Sequence, residues 1–264
     1  MLGWFAYLWF TPIPAPYQYQ LISEGDSKKF PQMDLDAWPD LKLSQYKVQA
    51  EGIDKPIAEL IVAQQGDGPR VLTYWKNSTN EILYNLDRKP SELSALAAVI
   101  GKHAPKDALI LSWWDTSRQI KLLTGHDTLF TSHLNEPLMV PVAWLEQSKA
   151  IMAYENQFWE SSANSKEQEQ FKRFSQALAA SAEEGVAQLR ELIGSNREAY
   201  LIVHVTDLYK LGLMYPDKIG VAYQNFPLTG NMHGMINHMK VQLKENDFNT
   251  YTLQSLSDEE IRVF

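Results

Sequence analysis

The chain has 264 residues, of which 45% are hydrophobic, enough for the core of one large domain or of two smaller ones. Its formal net charge is -8 and its pI is near 5.3, and it lacks the clustered lysines and arginines that neutralise phosphates, so we expect no nucleic-acid partner. The absence of cysteine excludes disulfides, thiolate catalysis and covalent attachment of c-type haem.

The start of the chain has the chemistry of a membrane segment. Residues 2–10 carry no charge and are rich in aromatic side chains. Ten residues of helix rise only about 15 Å against a hydrocarbon core of about 30 Å, so this segment alone cannot span a bilayer. Aromatic residues before a proline are typical of the interfacial belt that ends a transmembrane helix. We therefore predict that residues 1–11 are the end of a membrane anchor, and the alternative is a segment docked on the core.

A linker and a small sheet are predicted next. Prolines at 12, 14 and 16 force extended backbone and begin a polar, poorly periodic stretch, so residues 12–43 are predicted to be an extended linker. Alternating polar and apolar residues then predict an antiparallel β meander over 44–88, with one face in water and packed on the main domain. Its strands are predicted at 46–50, 57–63 and 70–76.

Residues 89–264 are predicted to form an α/β domain, because helical patterns alternate with buried-strand patterns in this part of the chain. Helices are predicted at 91–101, 137–159, 165–193 and 232–243. Buried strands are predicted at 109–112 and 200–205, and short strands near 251–253 and 261–264. This order implies a largely parallel sheet with flanking helices, preceded by the antiparallel meander.

The segment after the first buried strand concentrates the chemistry of the sequence. Trp113, Trp114 and Asp115 follow this strand, and Asp115 or Thr116 is predicted to cap a short helix that ends at Gly125. Open α/β sheets hold their ligands outside the carboxyl ends of the strands. Two indoles beside a carboxylate suit a small ligand with a hydroxyl or amine group, or a peptide loop. We therefore treat this WWD turn, residues 113–115, as a candidate binding site.

A second candidate segment follows the second buried strand. Asp207, Lys210 and Met214 share one helical face at spacings of three and four, and Lys210 can pair with either nearby acid. If the two buried strands are parallel neighbours, both segments leave the same sheet edge, where Asp115 would meet Asp207 and Lys210. Arg118 is either exposed in the first helical turn or screens Asp115. The alternative is that the tryptophans are core residues and both acids are helix N-caps.

Two motifs resemble the soluble C-terminal domain of oligosaccharyltransferase catalytic subunits. These are the WWD turn and the Asp-x-x-Lys-x-x-x-Met pattern of residues 207–214. The resemblance implies that the WWD turn contacts the hydroxyl-bearing residue of a glycosylation sequon, as a peptide-recognition module would. It departs from that family at residues 116–117, where Tyr-Gly is usual, and this sequence contains none of the membrane domain that holds the family's catalytic acids. Glycan transfer is therefore not expected.

The whole sequence, including residues 3–7 and 12–19, resembles the HaoB family of accessory proteins encoded beside hydroxylamine oxidoreductase in ammonia oxidisers. The resemblance implies a non-catalytic, membrane-anchored accessory protein of hydroxylamine oxidation at the periplasmic face of the inner membrane. Such a protein would bind a partner or a small ligand at the WWD turn. The partners implied are hydroxylamine oxidoreductase or a membrane cytochrome.

A small-molecule enzyme that uses Asp115, Asp207 and Lys210 is the third hypothesis. The sequence has no nucleophile elbow, phosphate-cradling loop or dinucleotide fingerprint, and His233 and His238 lack the spacing of helical metal ligands. We therefore predict no cofactor and no metal, assign no catalytic residue, and favour a protein that is not an enzyme.

Overall fold

The structure is a computed structural model that describes residues 14–78, 90–160, 165–194, 197–227, 232–248, 251, 253–255 and 259–263. The chain divides into two compact units, Met1–Val203 and His204–Phe264. The predicted end of a membrane anchor, at 1–11, lies outside the described residues. Across the described ranges, no helix has both the length and the hydropathy needed to cross a bilayer.

The first unit begins with a four-stranded antiparallel sheet in the order β1-β2-β3-β4, which confirms the predicted meander. Its strands are β1 Tyr17–Gly25, β2 Leu41–Ala50, β3 Ala58–Gln65 and β4 Val71–Asn77. Successive side chains of β3 point to opposite faces. Ile61 therefore packs in one core with Leu43, and Leu60 packs in another with Val48 and Trp159. Apolar clusters thus cover both faces of the sheet, so the predicted face in water is wrong.

The connection from β1 to β2 also contributes to the core. It contains two short 3-10 helices, Ser27–Lys29 and Pro31–Met33, and it buries Phe30, Met33 and Leu35 in the same core as Ile61. This connection and β1 fall in the range for which the sequence predicts an extended linker. The predicted domain boundaries at residues 44 and 89 stay predictions.

A small parallel sheet follows, in the order β6-β5-β7. Its strands are β5 Leu109–Leu111, β6 Asp127–Thr128 and β7 Ala199–Leu201. The two predicted buried strands are indeed parallel neighbours, with Ile110 opposite Tyr200. A largely parallel sheet is nevertheless wrong for the described structure, because the parallel part has only three short strands and the other two sheets are antiparallel. The apolar run 200–205 gives a shorter strand than predicted, since a helix begins at Val205. The prediction that this run is buried is also wrong, because Leu201 and Val203 are exposed.

Five α-helices of the first unit lie in the described ranges. They are α1 Pro90–His103, α2 Trp114–Thr124, α3 Ser148–Phe158, α4 Ser165–Leu178 and α5 Ala182–Ile193. Isoleucines from α1, β5 and α2, at 100, 110 and 120, form one buried cluster. This cluster packs α2 against α1 and β5. A 3-10 helix, Val142–Gln147, leads into α3.

The prediction of one continuous helix over 165–193 is wrong, because the chain breaks between α4 and α5. Ser181 caps α5 by accepting a hydrogen bond from the backbone N–H of Glu184, and this offers the backbone an alternative to continued helix. The two helices then pack closely, since a Cβ at Gly185 would lie 2.5 Å from the carbonyl oxygen of Ala177. A helical hairpin therefore stands where one amphipathic stripe suggested a single helix.

The second unit has two helices and a three-stranded antiparallel sheet among its described residues. Its elements are α6 Val205–Met214, β8 Gln224–Pro227, α7 Met232–Glu245, β9 Leu253–Ser255 and β10 Glu260–Val263. The sheet order is β8-β10-β9. Helix α7 confirms the helix predicted for the methionine-rich segment.

Candidate functional site

The WWD turn connects β5 to α2, as predicted, but its capping differs from the prediction. Trp113 is the N-cap residue, so capping by Asp115 or Thr116 is wrong. Asp115 instead lies in the first turn, where a carboxylate interacts favourably with the helix dipole. The predicted end of the helix is confirmed, because Gly125 adopts a φ of 72° and its N–H bonds to the carbonyl of Lys121.

Both tryptophans of the turn are buried. Trp113 is 1% exposed and meets Phe171 edge to face, with ring centroids 5.0 Å apart. Trp114 is 8% exposed, donates its indole N–H to the carbonyl of Glu136, and meets His133 edge to face at 4.5 Å. The indoles therefore pack in the interior of the first unit, as the core alternative expects, and they do not form an open wall. A binding role for them stays a prediction.

Asp115 is half-buried and bonds to its own turn. Its Oδ1 accepts hydrogen bonds from the backbone N–H of Thr116 at 2.6 Å and from the Thr116 hydroxyl at 3.3 Å. Its charge also acts on Arg118, one turn further along α2, and opposes the lowering of the Arg118 pKa by burial. This interaction agrees with the alternative in which Arg118 screens the charge of Asp115. The alternative in which Arg118 is exposed is wrong.

Arg118 is the most unusual charged group of this region, because it is only 4% exposed. Its Nη1 donates to Nδ1 of His133 at 3.0 Å, and its Nη2 donates to the carbonyl of Arg70 at 2.6 Å. Burial lowers the pKa of Arg118 to about 10, so the guanidinium stays protonated at neutral pH. Within the described part of the chain, no carboxylate forms an ion pair with Arg118, and its Nε has no hydrogen-bond partner.

His133 is the neutral acceptor of this arrangement. Burial first, and then the charge of Arg118, lower the pKa of His133 to about 3. Because a guanidinium only donates, the Nδ1 of His133 must accept, which places the ring proton on Nε2. The imidazole also stacks on Trp159, with centroids 4.6 Å apart and planes inclined by 14°.

Helix α2 also covers the outer edge of the antiparallel sheet. Gln119 is buried and donates its side-chain amide to the carbonyl of Leu72 on β4 at 2.7 Å. Arg118 does the same for the carbonyl of Arg70, immediately before β4. Since β4 is the last strand of this sheet, α2 takes the place of a further strand for these two carbonyls.

A buried acid, Glu155 on α3, is the centre of an aromatic cluster that the sequence did not reveal. Its Oε1 accepts from the hydroxyls of Tyr17 and Tyr19, the latter at 2.8 Å, and its Oε2 accepts from the indole N–H of Trp159 at 2.7 Å. Burial and then the charge of Glu155 raise the pKa of both tyrosines. The available signals were Tyr17 and Tyr19 on one strand face and Glu155 one turn before Trp159. Neither signal shows that strand and helix meet.

The second candidate segment lies in the second unit and builds the start of α6. Asp207 accepts from the backbone N–H of His204 at 2.9 Å, and the two residues form a capping box. His204 is the N-cap and Asp207 lies three residues further on, so the alternative that Asp207 is the N-cap is wrong. Lys210 pairs with Asp207 at 3.5 Å, and Met214 ends the helix. Asp115 belongs to the other unit, so the meeting of Asp115 with Asp207 and Lys210 stays a prediction.

The fold and this geometry define a mixed α/β protein. Most of its candidate side chains, among them Trp113, Trp114 and Arg118, are buried. Over the described ranges, no three His, Asp or Glu side chains are grouped as metal ligands would be. A family model described as HaoA-associated protein HaoB matches residues 1–264, so the chain belongs to the HaoB family. This confirms the HaoB resemblance of the sequence and links the chain to hydroxylamine oxidation as an accessory protein.

The other comparisons give no relative. No curated protein and no solved structure matches the chain. The resemblance of the WWD turn and of residues 207–214 to oligosaccharyltransferase subunits therefore finds no support outside the motifs themselves.

Proposed function

We propose that this chain is a non-catalytic accessory protein that associates with hydroxylamine oxidoreductase at the periplasmic face of the inner membrane. The observation that carries the proposal is the family match over the whole chain, because the family is described as HaoA-associated. The uncharged aromatic segment 2–10 supports membrane attachment. A membrane cytochrome is the other partner that the sequence resemblance implies.

The structure of the candidate side chains supports a non-catalytic role. The carboxylate of Asp115 accepts hydrogen bonds from its own helical turn, and the carboxylate of Asp207 completes a capping box. General acids and bases need to reach a substrate proton, and both acids are engaged by their own helices.

Peptide recognition at the WWD turn has weaker support. Such a module would present its indoles to a peptide, whereas Trp113 and Trp114 are 1% and 8% exposed. A small ligand that binds beside the turn, at Arg118, is compatible with these packed rings.

Association is tested by chemical crosslinking of membranes that contain the tagged full chain, followed by affinity capture and mass spectrometry. We expect hydroxylamine oxidoreductase among the captured proteins, with crosslinks to described surface residues of this chain. Capture of a membrane cytochrome in its place would show that the cytochrome is the partner. Capture of neither protein would overturn the proposal. Protease accessibility in spheroplasts checks the periplasmic side, since the tagged chain should be digested without lysis.

A further inference from the structure

A cavity of about 360 Å³ lies beside α2 in the first unit. Its walls combine apolar groups from the β3–β4 connection, β4 and α2 with four polar side chains. The apolar lining includes Pro69, Val71 and Leu122, and the polar lining consists of Gln65, Arg118, Lys121 and Thr131. A concave, mainly apolar site with a few polar groups is the usual form of a small-molecule site.

Arg118 is the buried cation of this lining, and one of its donors has no hydrogen-bond partner in the described structure. A guanidinium has five N–H donors, and the structure uses its Nη1 on His133 and its Nη2 on a carbonyl, while its buried Nε has no partner among the described residues. A buried charge and a buried donor both cost free energy until a partner compensates them. An anion in the cavity would supply both the countercharge and the acceptor.

The other charged groups around the cavity are already engaged. Lys121 donates to Asp127 at 3.1 Å, and Asp127 also pairs with Arg197 at 2.7 Å. Glu167 accepts from the hydroxyl of Thr131 at 2.8 Å and from the backbone of Ser132 at 3.0 Å, and these bonds lower its pKa although burial opposes them. The charges of Asp115 and Glu167 already favour the charged form of Arg118, so only part of its positive charge is left for a ligand. This balance favours an anion with a single charge over phosphate.

We propose that the cavity binds a small monocarboxylate, with its carboxylate on Arg118 and its apolar body against Pro69, Val71 and Leu122. The carboxylate matches the planar donors of a guanidinium, and charge-assisted hydrogen bonds of this type are strong. The apolar walls select an acid with a hydrocarbon body over acetate. This site does not depend on association with hydroxylamine oxidoreductase.

The test uses the purified full chain and three probes: acetate, butyrate and benzoate, titrated at constant ionic strength against chloride. Binding is followed by calorimetry and by the NMR signal of the Arg118 Nε–H. We expect butyrate or benzoate to bind more tightly than acetate and to shift that signal, because it reports the unused donor. Equal effects of chloride and all three carboxylates, or no shift, would overturn the proposal.

Two variants locate the site. Arg118→Gln should weaken butyrate or benzoate binding by at least about tenfold, since it removes the charge. Leu122→Trp fills the cavity and leaves Arg118 in place, so it should block binding even where Arg118→Gln does not fold. Arg173→Gln is the matched control, because Arg173 is exposed and pairs with Glu191 at 2.8 Å on the α4–α5 hairpin. Undiminished binding by the Leu122→Trp chain would overturn the proposal.

Discussion

Two buried charged side chains of the first unit, Glu155 and Arg118, differ in how fully they are hydrogen-bonded. They belong to one connected group, because Glu155 accepts from Trp159, Trp159 stacks on His133, and His133 accepts from Arg118. Glu155 receives three donors on its two oxygens. Arg118 lines a cavity, donates to two neutral acceptors and has a buried Nε without a hydrogen-bond partner in the described structure.

This difference distinguishes a structural side chain from one that can bind a ligand. Buried polar groups are normally hydrogen-bonded, and a fully satisfied network makes one packing arrangement specific. The environment of Glu155 meets that description, so its role is structural. Arg118 departs from it, and a departure beside a cavity is where a ligand can complete the hydrogen bonding.

The largest effect is expected for Glu155→Leu. This change leaves the hydroxyls of Tyr17 and Tyr19 and the indole N–H of Trp159 without their acceptor in the interior. The free energy of unfolding should fall by roughly 3 kcal/mol or more, because each unsatisfied buried donor is costly. Urea unfolding of the purified chain measures this. Glu160→Leu is the control at an exposed acid of the same region, and an equal loss in both variants would remove the distinction.

A smaller loss is expected for Arg118→Leu. It strands the acceptors on His133 and Arg70, yet it also removes a buried cation that lacks an ion pair in the described structure. These terms oppose each other, so we expect a loss of about 1 to 2 kcal/mol. The same unfolding measurement compares it with Glu155→Leu. A loss larger than that of Glu155→Leu would show that Arg118 is the main structural charge.

The smallest of the three effects is the loss of stability over the first pH unit below 6.5, which depends on the titration of His133. Its folded pKa is about 3 against an ordinary 6.5, so between these values the unfolded chain binds a proton that the folded chain does not. The contribution of neutral His133 to the free energy of unfolding is therefore fully present above pH 6.5, and it falls as the pH is lowered toward about 3. Over the first pH unit below 6.5 the loss should be about 1 kcal/mol.

The measurement is the free energy of unfolding as a function of pH for the natural chain and for His133→Phe. The phenyl ring keeps the stacking on Trp159 but does not titrate, so the two curves should converge as the pH falls below 6.5. Curves that run parallel through this range would show that His133 takes up its proton in the folded chain as readily as in the unfolded one.

Local signals predicted much of the first unit. Periodicity and end residues located α1, the end of α2 at Gly125 and the strands of the meander, because each depends on neighbours within a few positions. The parallel pairing of β5 with β7 was a hypothesis from the sequence, and the structure confirms it. The break near Ser181 did not, because the apolar stripe continues through it and a side-chain cap with close helix packing decides the outcome.

The candidate site was predicted less well than the fold. Arg118 was selected for its position after the WWD turn, but its burial and its bonds to Arg70 and His133 depend on contacts 48 and 15 residues away. The Tyr17–Glu155 contact spans 138 residues, and no local pattern joins its ends. Sequence reasoning therefore found the helix that carries the site and missed the partners that give the site its chemistry.

The side chains of Arg118 and Gln119 have a consequence for how copies of this chain avoid one another. An outer strand with free carbonyls is a template on which another molecule can add a strand, and such additions lead to aggregates. By occupying the carbonyls of Arg70 and Leu72, helix α2 closes part of that template from within the same molecule. The side chains of Arg118 and Gln119 therefore hinder the addition of a further strand at this part of the sheet edge.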